Sequence, residues 1–128
     1  MKLLLDTHCW LWWLNEPQKL TSSMQQAICD SENELFLSVA SIWEIAIKVA
    51  IGKLTIPQPL SQLVTEQLPL DGINTLDIRM IHVLKIEELP LHHQDPFDRI
   101  LIAQAICENL TIMTCDRKFV AYPVSLKK

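Results

Sequence analysis

The stretch from Phe97 to Cys107 is apolar around most of the circumference of a helix, and it limits the possible folds more than any other part of the chain. Its start is marked by Asp95, which suits an N-cap, and by Pro96, which suits the first helical position because its missing N–H has no partner there. A helix that is apolar on nearly all sides has to be packed on both flanks. A surface helix is therefore the less favoured interpretation.

Short apolar runs alternate with helical patterns along the rest of the chain. Strands are predicted at residues 2–5, 34–38, 73–76, 110–114 and 122–126. Helices are predicted at residues 10–14, 22–33, from 38 or 41 to about 51, at 60–67, 77–86 and from 96 onward, with one further turn at 117–120. This alternation predicts a three-layer α/β/α sandwich with a mostly parallel central sheet. With 128 residues and neither a repeat nor a linker, residues 1–128 are predicted to form a single domain.

The composition of the chain limits the cellular compartment and the classes of binding partner that we expect. The formal net charge is −4, so no global positive field attracts nucleic acid, and a bound polyanion must meet local cations or metal ions. The four cysteines lack zinc-ligand spacing and suggest free thiols in a reducing compartment. No apolar run approaches the roughly 18 residues of a membrane span. We therefore expect a cytoplasmic protein with no membrane association.

Several acidic residues fall where a parallel sheet binds ligands, which is beyond the carboxyl ends of its strands. Asp6 directly follows the first predicted strand, and Asp116 follows the strand at residues 110–114. Glu44 lies within two turns of the helix that follows the second strand, and Asp95 and Asp98 open the long apolar helix. If that helix starts at the same edge of the sheet, four or five carboxylates share one small pocket.

Carboxylates that share a pocket raise one another's pKa and destabilise the fold unless a proton or a cation intervenes. Hard oxygen ligands without clustered cysteines favour Mg²⁺ or Mn²⁺ over zinc. Such an ion bridges phosphate oxygens and activates water, so the predicted chemistry is hydrolysis of a phosphodiester bond.

Each acidic residue also has a local explanation. An N-cap role by itself is enough to explain Asp95. Glu44 either closes a capping box with Ser41 or pairs with Lys48 on the helix surface. Two other functions stay open. Asp6 could be the nucleophile of a phosphatase or phosphotransfer domain. Alternatively, the acids are helix caps and the chain is a non-catalytic protein-binding module.

Other polar residues are candidates for secondary roles. The hydroxyls of Thr7 and Thr114 are placed to hydrogen-bond an acid or a phosphate, and Arg99 and Arg117 are candidates for contacts with a phosphate backbone. His92 and His93 look like a metal-binding pair, but adjacent residues in a loop point apart. Cys115 is interpreted as a small buried filler.

Four blocks of sequence together resemble a PIN domain, and more closely the VapC-type toxins of bacterial toxin–antitoxin pairs. They are LLLDTH at residues 3–8, SVASIWEIAIK at 38–48, DPFDRILIAQA at 95–105 and TCDR at 114–117. Each block alone is weak, but all four occur in the family's order and span nearly the whole chain. Cys115 departs from the family pattern, in which a small Ala or Ser is more usual.

The resemblance implies an endoribonuclease that depends on Mg²⁺ or Mn²⁺. Carried onto matching positions, the catalytic and metal-binding residues are Asp6, Glu44, Asp98 and Asp116. Thr7 and Thr114 match the small hydroxyl positions beside the first and last acids, and Asp95 is an accessory candidate. The family also implies an RNA substrate, inhibition by a small cognate antitoxin protein, and a homodimer.

Overall fold

The computed structural model describes residues 1–92 and 94–128, so His93 of the predicted histidine pair lies outside the described residues. Five strands form one sheet in the order β3-β2-β1-β4-β5. They are β1 (Lys2–Leu5), β2 (Glu34–Ser38), β3 (Ile73–Leu76), β4 (Thr111–Met113) and β5 (Leu126–Lys127). All four neighbouring pairs are parallel, which confirms the predicted class of fold.

Helices connect the strands and cover both faces of the sheet. In chain order they are α1 (Thr7–Asn15), α2 (Ser22–Cys29), α3 (Val39–Ala50), α4 (Leu60–Gln62), α5 (Leu68–Leu70), α6 (Met80–Glu88) and α7 (Pro96–Glu108). A π-helical turn, Leu63–Gln67, joins α4 to α5, and 3₁₀ turns occupy Pro17–Lys19 and Arg117–Ala121. In the part of the chain that the structure describes, no helix has the length and apolar character needed to cross a membrane.

The two faces of the sheet carry separate apolar cores, because side chains alternate along each strand. In β1, Leu3 and Leu5 join a core with Trp10 of α1, whereas Leu4 joins a core with Leu101 of α7. All five of these residues are fully buried. The long apolar helix predicted from the sequence is α7, which packs against both the sheet and α6.

The order of the strands fixes where a ligand would bind. From β1 the chain adds β2 and then β3 on one side, and only later places β4 and β5 on the other. The direction of winding therefore reverses between β1 and β4, and the crevice beyond the carboxyl ends of these strands is the usual binding position in an open parallel sheet. Asp6 and Asp116 both lie at this edge.

Side-chain caps start the two helices that carry the other acids. Ser38 is the N-cap of α3 and accepts a hydrogen bond from Ala40 N at 3.0 Å, which decides between the two serines considered as its start. Asp95 is the N-cap of α7 and accepts from Phe97 N at 2.8 Å. Both are cap residues that lower the cost of unpaired N–H groups in the first turn.

Some predicted boundaries are wrong. The last strand is not at residues 122–126 but comprises only Leu126–Lys127, because a 3₁₀ turn extends to Ala121 and irregular chain follows it. The first helix begins at Thr7 rather than at residue 10, since Asp6 caps it by accepting from Cys9 N. The helix predicted at residues 77–86 begins at Met80.

Candidate metal centre

Asp6 is the most constrained acid at the sheet edge. It is 5% exposed, and its Oδ1 accepts a hydrogen bond from Cys9 N at 3.0 Å. Its Oδ2 accepts a short hydrogen bond from the hydroxyl of Thr114, which is fully buried at the end of β4. The carboxylate is therefore fixed between the start of α1 and the neighbouring strand.

Glu44 is brought to the same edge from the second turn of α3. It is 4% exposed, and its Oε1 lies 2.9 Å from the hydroxyl of Thr7, the residue that follows Asp6. The same hydroxyl lies 2.9 Å from Oγ of Ser41. Glu44 thus faces the end of β1 rather than forming a capping box at the start of its own helix.

Lys48 supplies the cation that Glu44 faces. Its Nζ lies 2.7 Å from Oε2 of Glu44, and its side chain is 40% exposed. The hydrogen bond to Glu44 raises the pKa of Lys48, and the negative charges of Asp95 and Asp98 add to this effect. The sequence suggested at most a surface ion pair, so the position of Lys48 among the acids was missed.

Asp98 and Asp116 complete the acidic edge. Asp98 is half-buried in the first turn of α7. Asp116 is half-buried, caps the 3₁₀ turn that follows β4 by accepting from Lys118 N, and donates its own N–H to the hydroxyl of Thr114 at 3.0 Å. Its backbone is therefore tied to the same threonine that holds Asp6.

The acids share one electrostatic field. The pKa of Asp98 is raised from 3.8 to about 7, mostly by burial and then by the negative charges of Asp95, Asp6, Glu44 and Asp116, in that order. The other three predicted metal ligands and the accessory Asp95 thus all act on the carboxyl group of Asp98. Each of these acidic residues also makes a local hydrogen bond or ion pair. Their local roles and their effect on the pKa of Asp98 therefore occur together.

The donor set fits a hard divalent cation. It consists of carboxylates, and the two nearby thiols hold their protons. Burial and the charge of Asp6 raise the pKa of Cys9, and partial desolvation and the charge of Asp6 raise the pKa of Cys115. Among residues 1–92 and 94–128, no group of three His, Cys, Asp or Glu side chains is arranged to hold an ion in this conformation. Beyond the effect of burial, four neighbouring carboxylates raise the pKa of Asp98, so the acids at this edge repel one another.

Two cavities open at this edge and share a wall. One has a volume of about 270 Å³ and is lined by Asp6, His8, Cys9, Trp12, Cys115 and Asp116. The other, of about 260 Å³, lies on the far side of His8 and Trp12. Cys115 is exposed beside Asp116, so the prediction that it fills the core is wrong.

Arg99 does not reach the candidate site, and the prediction that it contacts RNA is corrected. Its side chain is buried and donates hydrogen bonds to the carbonyl groups of Ile86, Leu89 and Pro90, at 3.2, 3.4 and 2.9 Å. A guanidinium in the apolar layer needs such acceptors, and here it holds the connection from α6 to α7. Arg117 is exposed directly after Asp116, and its contact with RNA stays a prediction.

Comparisons with known proteins agree with this architecture. The model of the PIN domain family matches residues 3–124. Ribonuclease VapC22 of Mycobacterium tuberculosis (strain ATCC 25618 / H37Rv) is 31% identical over 124 residues, covering 91% of this chain and 88% of that protein.

Solved structures of low sequence identity share the fold. A DNA-bound VapBC structure from Salmonella typhimurium matches with a TM-score of 0.73 at 13% identity, covering 99% of this chain and 97% of the other. FitAcB from Neisseria gonorrhoeae matches with a TM-score of 0.71 at 18% identity, covering 98% and 96%. These two likenesses concern the fold alone.

Proposed function

The chain belongs to the PIN domain family, and from this membership we propose that it is an endoribonuclease that depends on Mg²⁺ or Mn²⁺ and acts as the toxin of a toxin–antitoxin pair. VapC22, which is 31% identical over 91% of the chain, is named a ribonuclease. The substrate class is RNA, and the bond that is hydrolysed is the phosphodiester.

One observation carries the assignment to this site. A chain of contacts joins three acidic residues from separate parts of the sequence: the Glu44 carboxylate to Thr7, the carboxylate of the adjacent Asp6 to Thr114, and Thr114 to the backbone N–H of Asp116. These contacts lie where the winding of the sheet reverses, between β1 and β4. Helix capping alone gives no reason for the acids of three elements to meet there.

In this proposal the metal ligands are Asp6, Glu44, Asp98 and Asp116, with Asp95 as an accessory group. A divalent cation at this position would supply the positive charge that lets water attack a phosphodiester and lets the ribose oxygen leave. The direction of the Asp6 carboxylate is already fixed by its two hydrogen bonds.

The chain's own residues prepare the site for that charge. Thr114 and Thr7 hold Asp6 and Glu44 by hydrogen bonds to single carboxylate oxygens, which leaves other lone pairs for a ligand. Asp98, with a pKa of about 7, holds a proton for part of the time at neutral pH and gives it up when a cation relieves the repulsion. Lys48 neutralises Glu44 until then.

The partners follow from the family's assemblies. The Salmonella and Rickettsia felis structures that share this fold are VapBC complexes bound to DNA, and another is a toxin–antitoxin complex from Klebsiella pneumoniae. We therefore propose a small cognate antitoxin protein as the inhibitor of this chain, and a homodimer as its assembly. Cytoplasmic location is part of the same proposal.

The test is cleavage of a single-stranded RNA by the purified protein with Mg²⁺ or Mn²⁺. Asp6→Asn and Asp98→Asn should each slow cleavage by at least about a hundredfold, since a bound metal supplies several kcal/mol of transition-state stabilisation. Asp30→Asn is the matched control, because Asp30 follows α2 and precedes β2, at the opposite edge of the sheet. Circular dichroism verifies the fold of each variant. Cleavage by Asp98→Asn at the parent's rate would contradict the assignment.

A further inference from the structure

The second cavity at the sheet edge is a mixed cationic and aromatic pocket that the acid site does not use. It has a volume of about 260 Å³, and its walls include Lys48, Lys53, His8 and Trp12. In a chain of net charge −4, cations gathered in one place mark where a polyanion can be held. We call it the lysine pocket.

The end of α3 explains why two lysines meet there. Gly52 has a φ of +76°, and the N–H groups of Gly52 and Lys53 donate to the carbonyls of Val49 and Lys48 at 3.1 and 2.9 Å. This is a Schellman motif, in which a left-handed glycine turns the chain back beside the last turn of the helix. The motif returns Lys53 to the neighbourhood of Lys48.

The lysine pocket adjoins the acids on two sides. Lys48 and Thr7, which both line it, bind the two carboxylate oxygens of Glu44. His8 and Trp12 form the wall that it shares with the cavity of Asp6 and Asp116. An RNA strand whose scissile phosphate lies at the acidic residues would thus have a neighbouring nucleotide within reach of this pocket.

The lining suits an unpaired nucleotide. The half-buried Trp12 presents an indole, and Nζ of Lys19 lies 5.8 Å from its ring centroid at the rim. The one acid in the lining, Glu16, is paired with Lys19 at 3.0 Å. Among the described residues, no carboxylate is paired with Lys53. Aromatic rings beside cations are the usual platform for single-stranded nucleic acid.

We propose that the lysine pocket binds the nucleotide next to the scissile phosphate of a single-stranded RNA, with a phosphate against Lys53 and Lys48 and the base against Trp12. This inference rests on the proposed nuclease function and adds the residues that hold the neighbouring nucleotide. A base paired in a duplex would not enter a pocket of this size.

The test uses Lys53→Gln, because Lys53 is exposed and, among the described residues, forms no ion pair with any of the four proposed metal ligands. Binding of a fluorescent single-stranded RNA is measured by anisotropy at several salt concentrations, with EDTA present so that the proposed metal-dependent cleavage does not occur. We expect Lys53→Gln to weaken binding on the order of fivefold, and the salt slope to fall by about 0.7 for one lost phosphate contact to a single strand. Binding of Mn²⁺, measured by calorimetry, should not change.

The matched control is Lys2→Gln, which removes the same charge at the amino end of β1, the opposite edge of the sheet. An equal loss of affinity in both variants, or equal binding of duplex and single-stranded RNA by the parent, would overturn the pocket. The proposed nuclease function and the proposed role of the lysine pocket are refuted by different results. If the parent binds RNA through Lys53 but cuts none with Mg²⁺ or Mn²⁺, the nuclease function is refuted and the role of the lysine pocket stands. If the parent cleaves RNA normally and Lys53→Gln has no effect on binding, only the role of the lysine pocket is refuted.

Discussion

Replacing Asp98 by asparagine should stabilise the metal-free protein, although Asp98 is a proposed catalytic residue. The pKa of Asp98 rises from 3.8 to about 7 in the folded state, because of burial and the charges of the neighbouring acids. Between these values the folded chain binds more protons than the unfolded chain, so the stability of the parent falls as pH rises from about 4 to 8. The neutral amide removes this loss.

The size of the effect follows from the difference between the pKa of Asp98 in the unfolded and in the folded state. A change from 3.8 to about 7 corresponds to roughly 4 kcal/mol when Asp98 is fully ionised. Water reaches the half-buried carboxyl and salt screens its neighbours, which lowers the expected gain to about 1–2 kcal/mol. Loss of the favourable interaction with the amino end of α7, about 0.3–1 kcal/mol, removes part of this gain.

Urea unfolding followed by tryptophan fluorescence measures the difference. With EDTA present, the free energy of unfolding of Asp98→Asn should equal that of the parent near pH 4 and exceed it increasingly up to pH 8. Asp30→Asn, at the opposite edge of the sheet, should show no such trend. A difference that is constant across this range, or a variant less stable than the parent at pH 8, would refute the reasoning about the shared acidic field.

Three further substitutions test the parts of the fold that support the site. Arg99→Leu should destabilise the protein by about 2–4 kcal/mol in urea unfolding, because three carbonyl groups, of which Leu89 O is the buried one, lose a charged donor. A cost below about 1 kcal/mol would contradict the structural role of Arg99. Ser38→Ala removes the cap of α3 and the hydrogen bond to Gln104 at 2.6 Å. It should lower the melting temperature and the free energy of unfolding, the latter by about 1–2 kcal/mol. An unchanged melting temperature would contradict the role of Ser38 as the cap. Gly52→Ala should cost about 1–2 kcal/mol in the same assay because its φ of +76° is left-handed, and a stabilising result would contradict the turn that returns Lys53.

The capping chemistry of the sequence predicted the start of the most important helix. Asp95 and Pro96 marked the first turn of α7, and Ser38 was one of two starts considered for α3. Such signals are local, since a cap bonds to N–H groups two or three residues away. The placement of Asp6 and Asp116 followed as well, because strands in a parallel sheet end at a common edge.

Features that depend on contacts between distant segments were not predictable. The burial of Arg99 follows from the carbonyls of the connection between α6 and α7, and an exposed arginine is the commoner case. The position of Lys48 depends on how far α3 turns Glu44 toward Thr7. The last strand was misplaced because only two residues, Leu126 and Lys127, pair with β4, too few to leave a pattern.

Binding of Mn²⁺ to the purified protein, measured by isothermal titration calorimetry, tests the central claim most directly. If Asp6, Glu44, Asp98 and Asp116 share a cation, the parent binds Mn²⁺ saturably, affinity rises with pH up to about 8 as Asp98 loses its proton, and Asp6→Asn abolishes the signal. Asp30→Asn should bind like the parent. No saturable binding by the parent, or undiminished binding by Asp6→Asn, would contradict a metal centre at this edge of the sheet.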